Sequence, residues 1–293
     1  MRMLDYKKIE ENMASRFLKD RIYKFLFYIA ILFSIVILFI LLFQIFEKGI
    51  SYLSIDFFIN FASRNPKEAG IAAALSGTIL FMSIVIPVSF IFGVGTALYL
   101  EQYAKESIFK KVIEINNQTL AGVPSVVFGL LGLTIFVYAL HLGESIVAAA
   151  LTMSLLVLPT VVVASQEAIR SVPSSLLEAS YGLGATKWQT MYQVVLPTAF
   201  PGIITGCTLA ISRAIGEAAP LLVIGALAFA NYVPFSMFDR FTVLPIQIFN
   251  WMSRPQEEFQ YVAAAGMIVL LGLLLFINIF VLWLRNRKSV GSG

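Results

Sequence analysis

Five stretches of the chain, 25–46, 71–100, 120–140, 146–165 and 261–284, run for 20 residues or more without a charge, and a sixth, 201–230, contains only two. A helix rises 1.5 Å per residue, so about 20 apolar residues cover the roughly 30 Å hydrocarbon core of a bilayer. The pattern predicts an all-α fold of six membrane-spanning helices. The second run is long enough to tilt and is interrupted by Pro87, Gly93 and Gly95. Only residues 141–145 separate the third run from the fourth, which makes that pair an antiparallel hairpin. Pro87 and Pro159 read as kinks. The segment 231–260 is rich in Phe, Pro and Trp. It reads either as an interfacial or partly dipping element, or as a surface on which a soluble protein rests.

Charge then orients the spans. Segments 1–24, 101–119, 166–200 and 285–293 fall on one side and hold 15 of the 21 Lys and Arg residues. The other side holds Lys48, Arg64, Lys67, Arg240 and Arg254, while Arg213 falls inside the fifth run. Positively charged loops stay in the cytoplasm, so both termini are expected there. Lys7, Lys8, Arg16, Lys19, Arg21 and Lys24 are expected to hold the amino end to anionic headgroups. The net charge of +4 follows from this topology and does not point to nucleic acid.

Composition agrees: 59% of residues are hydrophobic, 13% are charged, and the mean hydropathy is +0.85. A soluble domain is about a quarter charged. The numbers exclude a disordered chain, and the single Cys207 excludes a disulfide-stapled one. The expected organisation is a cytoplasmic segment (1–24), a first span (25–46), a core of five spans (71–284) with a cytoplasmic loop (166–200), and a tail (285–293). The first run reads as a retained anchor rather than a cleaved leader, and Gly291-Ser292-Gly293 as an appended scar. His141 reads as a solvated loop histidine, and Trp188, Trp251 and Trp283 as interfacial anchors.

The loop 166–200 carries the most specific pattern. Pro173 followed by Ser174 and Ser175 starts a helix, and Gly182 and Gly184 stop it, so a short helix is expected over 175–181. A second one over about 187–195 leads to Leu196-Pro197. Glu178-Ala179-Ser180, three residues, Gly184, nine residues, Val194, one residue and Leu196-Pro197 have the spacing of a known motif. The segment resembles the cytoplasmic loop of the integral membrane permeases of binding-protein-dependent ABC importers, with Ser for Ala and Val for Ile. The resemblance implies that 178–184 is a coupling helix seated in a groove of an ATP-binding subunit. No Gly-x-x-x-x-Gly-Lys-Ser/Thr occurs, so the chain has no phosphate-binding loop of its own.

Arg213 lies twelve residues into the fifth run, about 18 Å from its start. An arginine at that depth costs at least about 2.5–3.5 kcal/mol on insertion scales, so it needs protein, water or a partner. Glu217, four residues on, shares its face. Gly202, Gly206, Ala210, Ala214 and Ala218 form a small-residue stripe that lets a neighbouring helix approach closely. Arg213 and Glu217 then face a central pathway, or they form an ion pair that only fixes packing. A guanidinium suits an oxyanion through bidentate hydrogen bonds, with Glu217 occupying it between anions. Ser212 and Thr208 are candidate hydroxyl donors. Pro124 and Ser125 either line the pathway or mark a packed kink.

Arg213-Ala-Ile-Gly-Glu217-Ala-Ala-Pro220 resembles the Arg-Ala-x-Gly-Glu-Thr-Ala-Pro segment of phosphate-specific permeases, with Ala218 for Thr. Leu120–Gly129 resembles their third-helix segment, and 244–251 with 255–259 the outer loop of the PstA-type subunit rather than its PstC-type mate. The resemblance implies an ABC type I importer permease for inorganic phosphate in the cytoplasmic membrane of a prokaryote. Its implied partners are a homologous PstC-type permease, two ATP-binding subunits that use ATP and Mg, an extracytoplasmic phosphate-binding protein and membrane lipid. No cofactor is expected on this chain, which performs no bond chemistry. The alternatives are a permease for sulfate, molybdate or phosphonate, and a membrane enzyme acting on a lipid phosphate.

Overall fold

The computed structural model of the chain describes residues 6–227 and 229–289. Among them every regular element is helical. The chain begins with α1 (Tyr6–Gly49) and a short α2 (Ile55–Ile59), then α3 (Ala72–Leu98), which a π-helical turn extends to Tyr103. Next come α4 (Ile108–Leu120), α5 (Ser125–Gly132), extended by a π-helical stretch to Ala139, and α6 (Ile146–Arg170). A short α7 (Ser174–Gly182) precedes α8 (Lys187–Thr190), which runs through a π-helical turn into α9 (Leu196–Gly216). The chain ends with α10 (Ala219–Ile224), α11 (Leu244–Met252) and α12 (Glu258–Ser289).

Five helical stretches, 19–52, 72–103, 146–170, 187–216 and 258–283, are long and apolar enough to cross a membrane. A sixth crossing forms if α4 and α5, bent by 108° across residues 121–124, count as one broken span. The expected third crossing, 120–140, is therefore shorter than drawn, and all of the expected polar loop 101–119 except residues 104–107 is helical. Ser107 caps α4 by accepting from the Lys110 amide, and the helix is amphipathic enough to form despite its charges. The fifth crossing also differs. It begins at Lys187 and stops at Gly216 rather than running to residue 230.

The core is built around α6, buried along most of its length and lined with Ala, Val, Thr and Ser. These small side chains let three partners come close. Gly93 of α3 packs on Val161, Gly132 on Thr152, and Gly202 and Gly206 of α9 on Ala168 and Ala164. By contrast α1 stands off the bundle. Its apolar stretch is exposed except along Leu42, Ile45 and Gly49, the last packed on the α12 backbone at Ala264 and Ala265. The helix is unbroken from Tyr6, so 1–24 and 25–46 are not separate elements where described. The side chains of Lys7, Lys8 and Arg16 and the tail Gly291-Ser292-Gly293 lie outside the described residues.

Only the middle of the segment 231–260 leaves the surface: residues 241–248 are buried, whereas 235–238 and 255–258 are exposed. In α11, Leu244, Ile246, Gln247, Ile248 and Trp251 are buried between α3 and α12. Thr78 of α3 accepts from the Leu244 amide at 3.0 Å. Trp251, expected at an interface, is fully buried against Phe57 because its helix is a wedge in the core rather than a ridge on it. Trp188 and Trp283 are exposed near helix ends, and so is His141, whose Nδ1 meets the Tyr138 carbonyl.

Candidate functional site: a broken-helix level and an exposed loop

Proline sets the place where α9 ends. A helix continued through Pro220 would lack one amide and drive the ring into the carbonyl of Gly216. The chain instead leaves the helix at Gly216, takes an extended conformation at Glu217 (φ −85°, ψ 118°) and restarts as α10, which Gly225 closes at φ +96°. Contacts of α9 with α6 fix the depth of this break. A Cβ at Gly202 would lie 2.8 Å from that of Ala168, and Gly206 pairs with Ala164 one turn on. Counting on at the same antiparallel rate puts Arg213 opposite about Val157, near the middle of α6.

The α4–α5 break falls at the same level. Gly132 packs on Thr152, so counting back along α5 places Ser125 opposite about Pro159. Asn117, at the end of α4, donates to the Pro159 carbonyl at 3.5 Å, and Gly129 of α5 packs on Pro220 and Val223 of α10. Two chain breaks thus meet beside mid-α6. Irregular backbone at such depth is tolerated only inside protein or along a water-filled cavity.

At this level the Arg213 side chain is 43% exposed and that of Glu217 22%, with Nε and Oε2 3.9 Å apart. The pair is a single loose contact, outside hydrogen-bond range. Arg213 shares the exposed stripe of α9 with Thr205, Leu209 and Gly216, whereas Ile203, Cys207, Ala210 and Ala214 face the core. The expected small-residue stripe is present and packs on α6, except that Ala218 lies past the end of the helix.

Thr208 and Ser212 are not brought to Arg213. Successive residues on a helix are about 100° apart, and both hydroxyls turn to the seam with α12. Ser212 donates to Asn278 Oδ1 at 3.0 Å and Thr208 to the Ile204 carbonyl at 2.7 Å, so neither proton is free. They line an apolar cavity of about 580 Å³ with Leu209, Val281 and Arg285. Pro124 is exposed just ahead of α5, and Ser125 is its half-buried first residue.

The second region is the α7–α8 loop. α7 occupies 174–182, against 175–181 expected, and has no buried residue. Glu178 and Ala179 are exposed, and so are Leu176, Tyr181, Trp188, Tyr192 and Leu183, the last at 90%. Gly184 takes φ +84°, the left-handed conformation the motif needs for its reversal; Gly182 does not. Ser180 Oγ lies 2.8 Å from Thr190 Oγ1, and Thr186 with Gln189 forms a capping box. Leu196 and Pro197 continue the helix rather than begin one.

Sequence reasoning missed what the loop stands on. Glu101 of α3 accepts from Arg170 Nε (2.9 Å) and Nη2 (2.7 Å) and from Gln166 Nε2 (2.7 Å). Lys187 lies over the Tyr103 ring, 5.5 Å from its centroid. Beside them the Lys110 ammonium, 2.6 Å away, holds the Glu106 carboxyl below the usual carboxylate range. No local periodicity marks pairs separated by more than 60 residues. Among the described residues no group of His, Cys, Asp and Glu is arranged to hold a metal.

Comparison with known proteins places these two regions in context. The chain is 32% identical over 249 residues to the probable ABC transporter permease protein YqgI of Bacillus subtilis (strain 168), covering 81% of this chain and 85% of that one. It is 29% identical over 279 residues to the phosphate transport system permease protein PstA of Pasteurella multocida (strain Pm70), covering 94% and 97%. Among solved structures it superposes on a chain of a bacterial ABC transporter involved in the import of the polysaccharide alginate, with a TM-score of 0.64 at 15% identity over 93% of this chain and 99% of that one. The MetNI methionine ABC transporter gives 0.62 at 15% identity, over 74% and 97%. At such identities the likeness shows the fold, that of an ABC importer permease. Residues 89–290 match the family of binding-protein-dependent transport system inner membrane components, and the chain, a multi-pass membrane protein, belongs to that family.

Proposed function

We propose that this chain is the PstA-type permease subunit of an ATP-driven importer of inorganic phosphate. The observation that carries the reading is Arg213, a cation opposite mid-α6, on the open face of α9, held by one carboxylate at 3.9 Å. A phosphate that reaches it gains two parallel charge-assisted hydrogen bonds that Glu217 does not make in this geometry. Glu217 takes the guanidinium back as the anion leaves. Exchange of partners lowers the barrier to release, which a lone arginine in a low-dielectric site would raise. Curated relatives named as phosphate transport permeases support phosphate over other tetrahedral anions.

In this reading the α7 end of the bundle is cytoplasmic, and a homologous PstC-type permease supplies the opposite wall of the pathway. Two ATP-binding subunits, which use ATP and Mg, grip α7 through the exposed Leu176, Ala179 and Leu183. An extracytoplasmic binding protein delivers phosphate at the other end. The chain carries no cofactor and catalyses no bond cleavage. The test is to co-purify the tagged chain with its partners, reconstitute the assembly with ATP inside and binding protein outside, and compare uptake of radiolabelled phosphate, sulfate and molybdate. Accumulation of phosphate alone is expected. Accumulation of another oxyanion in its place, or activity of the chain without an ATPase, refutes the proposal.

A further inference from the structure

The α7–α8 loop touches the bundle in few places. α7 buries no side chain, only Leu177 packs partly on the core, and the Ser180–Thr190 contact lies within the loop itself. A displacement of α7 therefore enters the bundle through the two roots of the loop. On the entering side Arg170, the last residue of α6, stands three residues before Pro173-Ser174 and is forked onto Glu101. On the leaving side Lys187, the first residue of α8, sits over the Tyr103 ring. Glu101 and Tyr103 belong to one π-helical turn, Tyr99–Tyr103, at the end of α3. Both roots thus stand on a single turn of a helix outside the loop.

We propose that this terminal turn of α3 is the seat of the coupling loop, with Glu101 and Tyr103 the positioning residues that make α3 move with α7; the inference rests on the importer reading above. Three features support it. An arginine–carboxylate fork is the most directionally defined of ion pairs, so it transmits rotation as well as push. The Glu101 side chain is only 10% exposed and accepts a third hydrogen bond from Gln166, one turn before Arg170 on α6. Displacement delivered there is shared along α3 and α6, which touch closely at Gly93 and Val161. The remaining charges facing Arg170 are Glu114 of α4 at 3.5 Å and Glu167 of α6 at 3.6 Å. They leave the guanidinium with carboxylate partners when Glu101 is neutralised, so Glu101→Gln removes the fork without stranding a charge.

The test uses the complete assembly in vesicles and reads ATP hydrolysed and phosphate imported together. Glu101→Gln is expected to co-purify with its ATPase and hydrolyse ATP within about twofold of wild type, while phosphate imported per ATP falls about tenfold. A purely structural role would lower assembly and hydrolysis in step and leave the ratio unchanged. A second variant approaches from the other side. Tyr103→Cys with Lys187→Cys, in a Cys207→Ala background that leaves this chain no other thiol, is bridged by a short bifunctional thiol reagent. If seat and loop move as one body, the bridged assembly keeps its coupled uptake. A wild-type ratio in Glu101→Gln, or arrest of transport by the bridge, overturns the proposal. A wild-type assembly that accumulates a different oxyanion refutes the phosphate reading alone, and the same comparison is then made on that anion. Accumulation of no oxyanion would overturn both.

Discussion

Removing either member of the Arg213–Glu217 pair should slow uptake, but through opposite changes in how long the anion is held, and the structure sets their size. At 3.9 Å two unit charges attract by about 4 kcal/mol at an effective dielectric of 20. Arg213 is almost half exposed and the contact lacks a hydrogen bond, so screening reduces the net worth to about 1 kcal/mol. In Glu217→Gln the anion no longer competes with the carboxylate and is retained about fivefold longer, since 1.4 kcal/mol is a factor of ten. Turnover should fall by that factor while the half-saturating concentration, governed by the binding protein, stays within about twofold. Arg213→Gln should lose uptake altogether, and Arg213→Lys, which keeps the charge but not the planar fork, should retain part of it. The assay is radiolabelled phosphate uptake by reconstituted vesicles, with assembly checked by co-purification. Wild-type uptake by Arg213→Gln, or unaltered turnover in Glu217→Gln, would refute the exchange argument.

Two glycines give predictions of different kinds. At Gly184, φ +84° puts an L side chain in the left-handed region at about 1–2 kcal/mol, with no neighbouring atom within 4 Å to add a clash. Gly184→Ala should therefore leave the thermal midpoint of the bundle nearly unchanged but weaken ATPase binding by about tenfold, read by titrating the ATPase onto the purified permease. At Gly206 helix propensity favours alanine by about 1 kcal/mol, but the new methyl collides with the Ala164 Cβ, which has no rotamer to yield. Overpacking of about 1–3 kcal/mol wins. Gly206→Ala should lower the midpoint, whereas Gly272→Ala, whose new methyl would meet open space, should not.

The parts of the fold that local pattern controls were legible in the sequence. Long charge-free runs gave α1, α3, α6 and α12, because a span must satisfy its backbone by itself. Pro173 and the two glycines placed α7 within a residue at either end, and four-residue spacing placed the small stripe of α9 on a close neighbour. What stayed hidden depends on partners distant in sequence. An apolar run does not say where a helix stops, so the run through Pro220 to residue 230 reads as one span although the helix ends at Gly216. The number of charges in 108–119 reads as a loop, while their helical period and the Ser107 cap make it α4. The burial of α11 depends on Gly77 and Thr78, some 165 residues earlier. Glu101 was invisible as the loop's seat for the same reason. Arg213 was legible as an oddity of composition, but its openness required the register of α9 against α6.

That hidden contact at the far end of α3 yields the last prediction. Gly77 has the Thr242 carbonyl against its Cα, and a methyl there would strike it; the next residue, Thr78, holds the Leu244 amide at 3.0 Å while donating to Ala74. Together they hold the wedge α11 against α3. From Thr78 to Glu101 is 23 residues, about 35 Å along one continuous helical path through Pro87 and the terminal π-helical turn, so one element joins the wedge at one end to the loop seat at the other. Gly77→Ala should displace α11 without touching α7. Backbone has no alternative position to swing to, so a cost of about 1–3 kcal/mol is expected, with lower thermal stability. ATPase docking should be unchanged, because α7 lies at the opposite end, while stimulation of hydrolysis by the binding protein should fall. Binding-protein stimulation that persists after α11 is shown displaced, for example by labelling of a cysteine placed at the buried Ile248, would show that α3 does not carry the signal between the two ends.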